Sequence, residues 1–592
     1  MADERTARAP TSPASSTQSK AGLVAAFAVH AGLRLTDDER ERLEEYVDTV
    51  WDMAARLRSV EQPGLEGLRA RMPLRTGWAN REAVSSATGA AAGTGAVDGA
   101  SGAPVSAGTA PTQPRPDGLL DDGLMAVAAV LARGEVTPSD VTHAVLERIE
   151  RLDGAVRSYI TVDREGALAA AFALDAEVAD GGPRSVLHGV PIGAKDSIPI
   201  AGMACTYNSP LMRDWVPKRD AEAIRRLRAA GAVMIGKHNL NEFGWSLPTE
   251  DDLAPPPRNP WFPSERSVGS TSGGGAAVAA GLALAAIGTD GGGSIRLPAG
   301  QHLLFGVKPG HDDVPRQGVG EGSLSEVSVL ARTAPDAAAV LAAMQVDVDA
   351  PGADERLRRE PTERAAAVQV PLGVLRLGVP EGYLADVGME ADVASALADV
   401  RRACEELGVE LVGVPKEALD VLHDAVRANF VIIAAEHFYD HEGPGADRSR
   451  YGESAGFYNL PGSCLSAADY LHALRVGGIA REAIDAVLGG VDMLLTPTSP
   501  VTRTSTARNP KTHRKGGNAA YTAPFNISGH PALSFPAGIS GEGIPIGMQL
   551  VGRRGSEFEQ LRVGHAVASR LRLPAFPDME QVVARVRAGE IG

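Results

Sequence analysis

Cysteine is nearly missing from this chain: Cys205, Cys404 and Cys464 are the three in 592 residues, far apart in sequence. No pair has CxxC or Cys/His ligand spacing, which excludes a disulfide framework and a zinc site and predicts reduced, buried thiols. Aromatic residues make up 4% of the chain, so a core must be built chiefly from Ala, Val and Leu. Basic residues are in deficit, 58 Lys and Arg against 74 Asp and Glu, for a formal charge of −16. That sign opposes the phosphate neutralisation behind non-specific nucleic-acid binding, so no nucleic-acid partner is expected. The one compact basic cluster, His513-Arg514-Lys515, reads as a solvated loop. No apolar run reaches spanning length, and Met1 to Lys20 lacks a hydrophobic leader core. A soluble, cytoplasmic protein without a membrane partner is therefore expected. A P-loop is absent, and Gly273-Gly274-Gly275 neither follows a strand nor comes with an acid placed for a ribose, which argues against a dinucleotide site.

Glycine (67) and proline (40) are plentiful, and the 44% hydrophobic content is enough for a large core. Residues 1–20 are rich in Ala, Ser, Thr and Pro and read as a disordered tail. Residues 21–83 form a helical module. Within it Thr36 and Glu39 have capping-box spacing, and Leu43, Tyr46, Val47, Val50, Ala54 and Leu57 recur at helical period. A lone amphipathic helix cannot bury its own stripe and must dock elsewhere. Residues 84–117, nearly all Gly, Ala, Ser, Thr and Pro, read as a flexible linker to a main body at 118–592. There, Thr137-Pro138-Ser139-Asp140 is a helix start. Short apolar runs closed by glycine, 232–236 and 284–288, alternate with helical patterns and predict an α/β body with a buried sheet.

Three segments of this body carry chemistry. In His188–Asp196, Lys195 follows a strand-like stretch; Val268–Gly275 holds Ser270 ahead of a small-residue helix; Gly288–Arg296 ends its glycine run at Ser294. Consecutive glycines let the backbone aim successive N–H groups at one point, as an oxyanion requires. A serine hydroxyl needs a base to become a nucleophile. The nearby histidines, His188 and His302, have no triad context, and a lysine whose burial strips its charge can serve instead. Taken singly, each segment also reads as an ordinary turn, surface ion pair or helix cap. Asp290 and Arg296 read as an internal charged pair fixing the loop, and Lys237 as structural.

Together the segments resemble the amidase signature family. Lys195, the Ser/Gly run at 269–275 and Gly-Gly-Ser-Ile-Arg at 292–296 match its central motifs. Leu227–Val233, Asn241-Glu242-Phe243, Arg258–Trp261, Asp492–Thr498, Asn526–Gly529 and Gly547–Gly552 extend the likeness over about 118–570. The resemblance implies an amidase-signature fold, a mixed twisted sheet flanked by helices. It also implies a Ser–cis-Ser–Lys triad: Lys195 as base, Ser270 as relay in a cis peptide with Gly269, and Ser294 as the acylated nucleophile. Backbone amides of Gly291, Gly292, Gly293 and Ser294 would form the oxyanion hole. The expected partner is a small-molecule amide, cleaved without metal or organic cofactor. The chain departs from the family pattern at Ser197, at Gly291 (where a more mobile oxyanion loop is expected), at Gln301–Phe305 and at Leu253–Pro257.

Other readings compete. In the amidase reading the helical module is expected either to cover the substrate entrance or to mediate homodimerisation; its similarity to the small companion subunit of tRNA-dependent amidotransferases offers the alternative of a glutaminase-type subunit. A scaffold with a retired site is the non-enzymatic alternative. Gly452-Glu453-Ser454-Ala455-Gly456 has the letters of a nucleophile elbow, but polar, Gly/Pro-broken chain precedes it where a strand is needed. Part of 430–465 is expected to supply pocket walls; the aromatics clustered there, Phe438, Tyr439, Tyr451, Phe457 and Tyr458, near Arg448 and Arg450, read first as core packing and second as a binding surface.

Overall fold

Thr137 caps the helix Pro138–Val156 as its sequence predicts, its hydroxyl accepting from the Asp140 amide while the Asp140 carboxylate accepts from Thr137 N–H. This helix follows the helix Leu124–Ala132 near the start of the body in the computed structural model, which describes residues 37–58, 118–250, 252–441, 450–503, 517–574 and 576–591. The expected tail at 1–20, the linker at 84–117, most of the 21–83 module, Arg448 and the cluster at 513–515 lie outside the described residues.

Among the described residues eleven strands form one mixed sheet: β1 (Tyr159–Val162), β2 (Pro191–Lys195), β3 (Val233–His238), β4 (Ala285–Asp290), β5 (Phe305–Lys308), β6 (Glu326–Ala331), β7 (Arg376–Val379), β8 (Glu410–Gly413), β9 (Met493–Pro497), β10 (Ala532–Ile539) and β11 (Pro545–Gly552). Their order across the sheet is β1-β3-β2-β4-β6-β5-β10-β11-β9-β7-β8. The two apolar runs marked in the sequence are β3 and β4, and every residue of β2, β3 and β4 is buried. Strands covered by helices on both faces need such continuous burial, and these three run parallel.

Register decides where the chemistry sits. Gly193 pairs with Ala286 and Ala194 with Ile287, so Lys195 at the end of β2 emerges beside the end of β4, where Thr289 and Asp290 lie. Loops after the carboxyl ends of neighbouring parallel strands are where open α/β sheets form binding crevices.

The N-terminal helix Asp37–Arg58 docks outside this sheet. Ala54 and Leu57 are buried with Ala425, Ala428, Val431 and Ile432 of the helix Leu422–His441 and with Ala473 and Val476 of the helix Ala467–Leu488. Val47, Val50, Ala54 and Leu57 of the predicted stripe are thus buried, and full burial of Leu57 contributes roughly 1.5–3 kcal/mol. Arg58 Nε reaches Asp469 Oδ1 at 2.6 Å, so the carboxylate that caps the helix Ala467–Leu488 also anchors this one.

Candidate active site

Lys195 is the last residue of β2 and is wholly buried. Its Nζ lies 2.9 Å from Ser270 Oγ, 2.6 Å from Thr289 Oγ1 and 2.8 Å from Glu321 Oε1. The neighbouring Asp196 does not pair with it; that carboxylate turns to the buried Lys237, 2.9 Å away, and accepts from Thr206. Lys237 is therefore engaged in structure, as expected. Burial pushes the Glu321 carboxyl up, but the Lys195 ammonium and the hydrogen bonds around it prevail and hold it below the ordinary carboxylate value. Burial alone was expected to neutralise Lys195; the structure sets an acid against it instead.

Ser270 follows a cis peptide from Gly269 and directly precedes the region of the helix Ser272–Ala279. The Thr271 amide donates to the Ser294 carbonyl at 3.1 Å, tying the two serine segments together. Ser270 and Ser294 both line one cavity, with Glu321 and the amide-bearing Gly291 and Gly292. Gly244 covers the lysine–serine contact: its φ is +72°, and a Cβ there would lie 3.2 Å from Ser270 Oγ and 3.3 Å from Lys195 Nζ.

The loop after β4 is held by the ion pair read from the sequence. Arg296 and Asp290, both fully buried, meet through Nε–Oδ2 at 2.9 Å and Nη2–Oδ1 at 2.8 Å. Arg296 also donates to Thr522 O, Gln549 Oε1 and Asn526 Oδ1. Burial pushes the Asp290 carboxyl up, yet Arg296 and Asn526 outweigh it and hold it far below the usual range. The C-terminal segments at 526–529 and 547–552 therefore supply the shell that satisfies a buried guanidinium.

This shell changes the expected donor set. The Gly293 amide donates to Asp290 Oδ1 at 2.7 Å, so it is engaged within the loop and is not offered to a ligand. The Gly291 and Gly292 carbonyls accept from Asn429 Nδ2 and Thr522 Oγ1 at 3.2 and 2.7 Å. Gly291 was expected to loosen the loop; its carbonyl is tied, and a Cβ there would come within 2.6 Å of Ser325 Oγ. Glycine at this position answers close packing.

The cavity measures about 360 Å³. Phe243, Trp245, Leu324, Phe430 and Ile433 give it an apolar wall, and Thr49, Val50 and Met53 of the N-terminal helix form part of it. Of the aromatic cluster singled out in the sequence, Tyr458 lines this space, whereas Tyr439 is exposed and Tyr451 gives its hydroxyl to His441 O. His437 stacks on Trp245, and burial lowers its pKa to about 3. Neither histidine weighed in the sequence enters the site: His188 meets Leu174 O, and His302 meets Pro298 O and Ser267 Oγ. Ser454 is an acceptor for the Leu247 amide near the start of the short helix Glu453–Tyr458, with no strand before it among the described residues, so the elbow context is absent.

Comparison with known proteins gives a consistent picture. The amidase family's sequence profile matches residues 140–561. The A component of the glutamyl-tRNA(Gln) amidotransferase of Myxococcus xanthus is 35% identical over 483 residues, 76% of this chain and 97% of that protein. A putative amidase, AmiD, of Mycobacterium bovis is 36% identical over 458 residues, 75% of this chain and 93% of its own length. The native peptide amidase from Stenotrophomonas maltophilia superposes with a TM-score of 0.62 at 27% identity, over 77% of this chain and 98% of that one. With the mixed sheet and the serine-lined cavity already in place, these similarities establish that the chain belongs to the amidase family.

Proposed function

We propose that the chain hydrolyses a carboxamide through an acyl-enzyme on Ser294, with Ser270 as proton relay and Lys195 as base. The observation that carries this is the buried Lys195 Nζ at 2.9 Å from Oγ of Ser270, a serine that lines one cavity with Ser294. Ser294 Oγ attacks the amide carbon while its proton moves to Ser270 and that of Ser270 to the neutral Lys195 amine. The amides of Gly291, Gly292 and Ser294 face the oxyanion that develops, Gly293 being engaged elsewhere. The proton returns through Ser270 to the departing nitrogen as the C–N bond breaks, and water then releases the acid by the reverse relay.

The wall of Phe243, Trp245, Leu324, Phe430 and Ile433 supports an amide bearing a bulky apolar group. Glu321 and Glu436 also face the cavity, whereas Arg266, a cation in that wall, donates to Pro248 O at 2.5 Å. Neutral or cationic amides thus suit it better than carboxylates. Three uncrosslinked cysteines, two of them buried, support the cytoplasmic setting.

Labelling with a fluorophosphonate tests the nucleophile: the adduct is expected on Ser294 and absent from Ser294→Ala. An intact fold with no adduct would favour the scaffold reading, and an adduct on Ser454 would move the site. The 35% identity to an amidotransferase component keeps a glutaminase reading in play. Ammonia release from glutamine that rises only with charged tRNA and a partner protein would favour it over hydrolysis of free apolar amides.

A further inference from the structure

Three acceptors surround one nitrogen at Lys195: Ser270 Oγ, Thr289 Oγ1 and Glu321 Oε1, at 2.9, 2.6 and 2.8 Å. An ammonium has three N–H donors, and here all three are engaged. In this arrangement no lone pair faces Ser270, so the group is not yet a base. Its proton must leave before the relay can run, and the acceptor in contact that carries a charge is Glu321. That carboxylate belongs to the loop between β5 and β6, lines the substrate cavity and is 11% exposed.

We propose that Glu321 is a positioning residue that stores the Lys195 proton: it holds the resting lysine as an ammonium and takes that proton when a substrate dries the cavity. This rests on the role given to Lys195 above. The step moves one proton from Nζ to Oε1, leaving a neutral amine and a neutral acid. Water keeps such a pair charged, whereas a dry, low-dielectric site favours the neutral form, because two desolvated charges cost more than two dipoles. Lys195 then accepts the Ser270 proton during attack and returns it through Ser270 to the leaving nitrogen. Glu321 gives its proton back when water re-enters.

The other ionisable groups around this pair are shifted by burial or engaged with partners of their own. His238 on β3 and His437 on the helix Leu422–His441 are lowered to about 3, chiefly by burial. Burial raises Cys205 to about 12 and Tyr207 well above its ordinary value. Asp196 is paired with Lys237 and Asp290 with Arg296, while Glu436 accepts from Ser323 and Tyr470.

The test is the pH profile of kcat/KM for a neutral aryl amide, measured with Glu321→Gln beside wild type. Without the carboxylate the ammonium loses its stabilising charge, so the acid limb moves down by about one pH unit or more, a tenfold change in proton concentration. The rate of fluorophosphonate labelling of Ser294 is expected to follow the same shift. A limb that stays in place or moves up would overturn the proposal. Should the variant not fold, infrared difference spectra of the Ser294→Ala protein filled with that aryl amide provide the second arm. A protonated-carboxyl band on filling is expected, and its absence overturns the transfer. If Ser294→Ala itself kept wild-type turnover, the nucleophile reading would fail, whereas an unshifted limb beside a dead Ser294→Ala defeats only the role of Glu321.

Discussion

Two buried ion pairs flank the nucleophile loop, and they are built differently. Asp290 and Arg296 meet through two contacts, both side chains are fully buried, and Thr522, Asn526 and Gln549 take the remaining donors. Lys195 and Glu321 meet through one contact at the cavity edge, and their other near partners are the hydroxyls of Ser270, Thr289 and Ser325. A charge with every partner fixed has no low-cost alternative state and serves as scaffold. A charge ringed by hydroxyls can exchange protons with its neighbours. The difference between holding a site and operating it lies in the partners, since both pairs are buried.

Substitutions can break this comparison. Lys195→Ala should remove turnover by on the order of 10⁴-fold or more, as loss of the base does in serine hydrolases, with a smaller change in Tm than at Arg296 because the Glu321 carboxylate it strands sits at the cavity edge, within reach of water. Arg296→Met should act the other way, costing about 3–5 kcal/mol of stability because it strands the Asp290 carboxylate, as thermal or denaturant unfolding would record. If Arg296→Met left stability intact, the contrast would collapse. Gly244→Ala presses a methyl group onto the Lys195–Ser270 contact from a left-handed backbone position. A fall in kcat of about 100-fold with KM nearly unchanged is expected, the cost of misplacing a reacting group by about 1 Å.

The smallest effect concerns the docked N-terminal helix. The hydrogen bond from Arg58, with help from Ser466, holds the Asp469 carboxyl at about 2, below its ordinary 3.8. A depressed carboxyl stabilises the folded state above its ordinary value and loses that contribution as pH falls through the depressed one. The stability difference between wild type and Arg58→Ala should therefore be present at neutral pH and vanish between about pH 4 and 2. Arg58 is 46% exposed, so solvent screening keeps the difference below about 1 kcal/mol. A difference that grows on acidification would contradict this anchoring.

Much of the site was legible because its parts are local. Strands β3 and β4 announce themselves as apolar runs closed by glycine, Thr137 as a cap, and Ser294 as the end of a glycine nest. The Asp290–Arg296 pair spans six residues, short enough to read from spacing alone. Glu321 was invisible for the opposite reason. It sits in Gly318-Val319-Gly320-Glu321-Gly322, which has the composition of any solvated turn, 126 residues from the lysine it meets. The pocket wall was legible in part: Phe430, Ile433, His437 and Tyr458 come from the expected 430–465 stretch, whereas Phe243 and Trp245 reach the cavity from a distant loop that gave no such signal. The N-terminal helix advertised a stripe in need of cover, and of the two places expected for it, the substrate entrance or a dimer contact, Val50 and Met53 take it to the first.

Patterning, capping and nest chemistry depend on neighbours within a turn or two, so residue order alone establishes the strands, the helix starts and the nucleophile loop. Contacts across more than a hundred residues depend on β-sheet register and loop path, which no local preference encodes. Three-dimensional packing alone brought Glu321 onto Lys195, added Phe243 and Trp245 to the cavity wall and decided that the N-terminal helix lies at its rim.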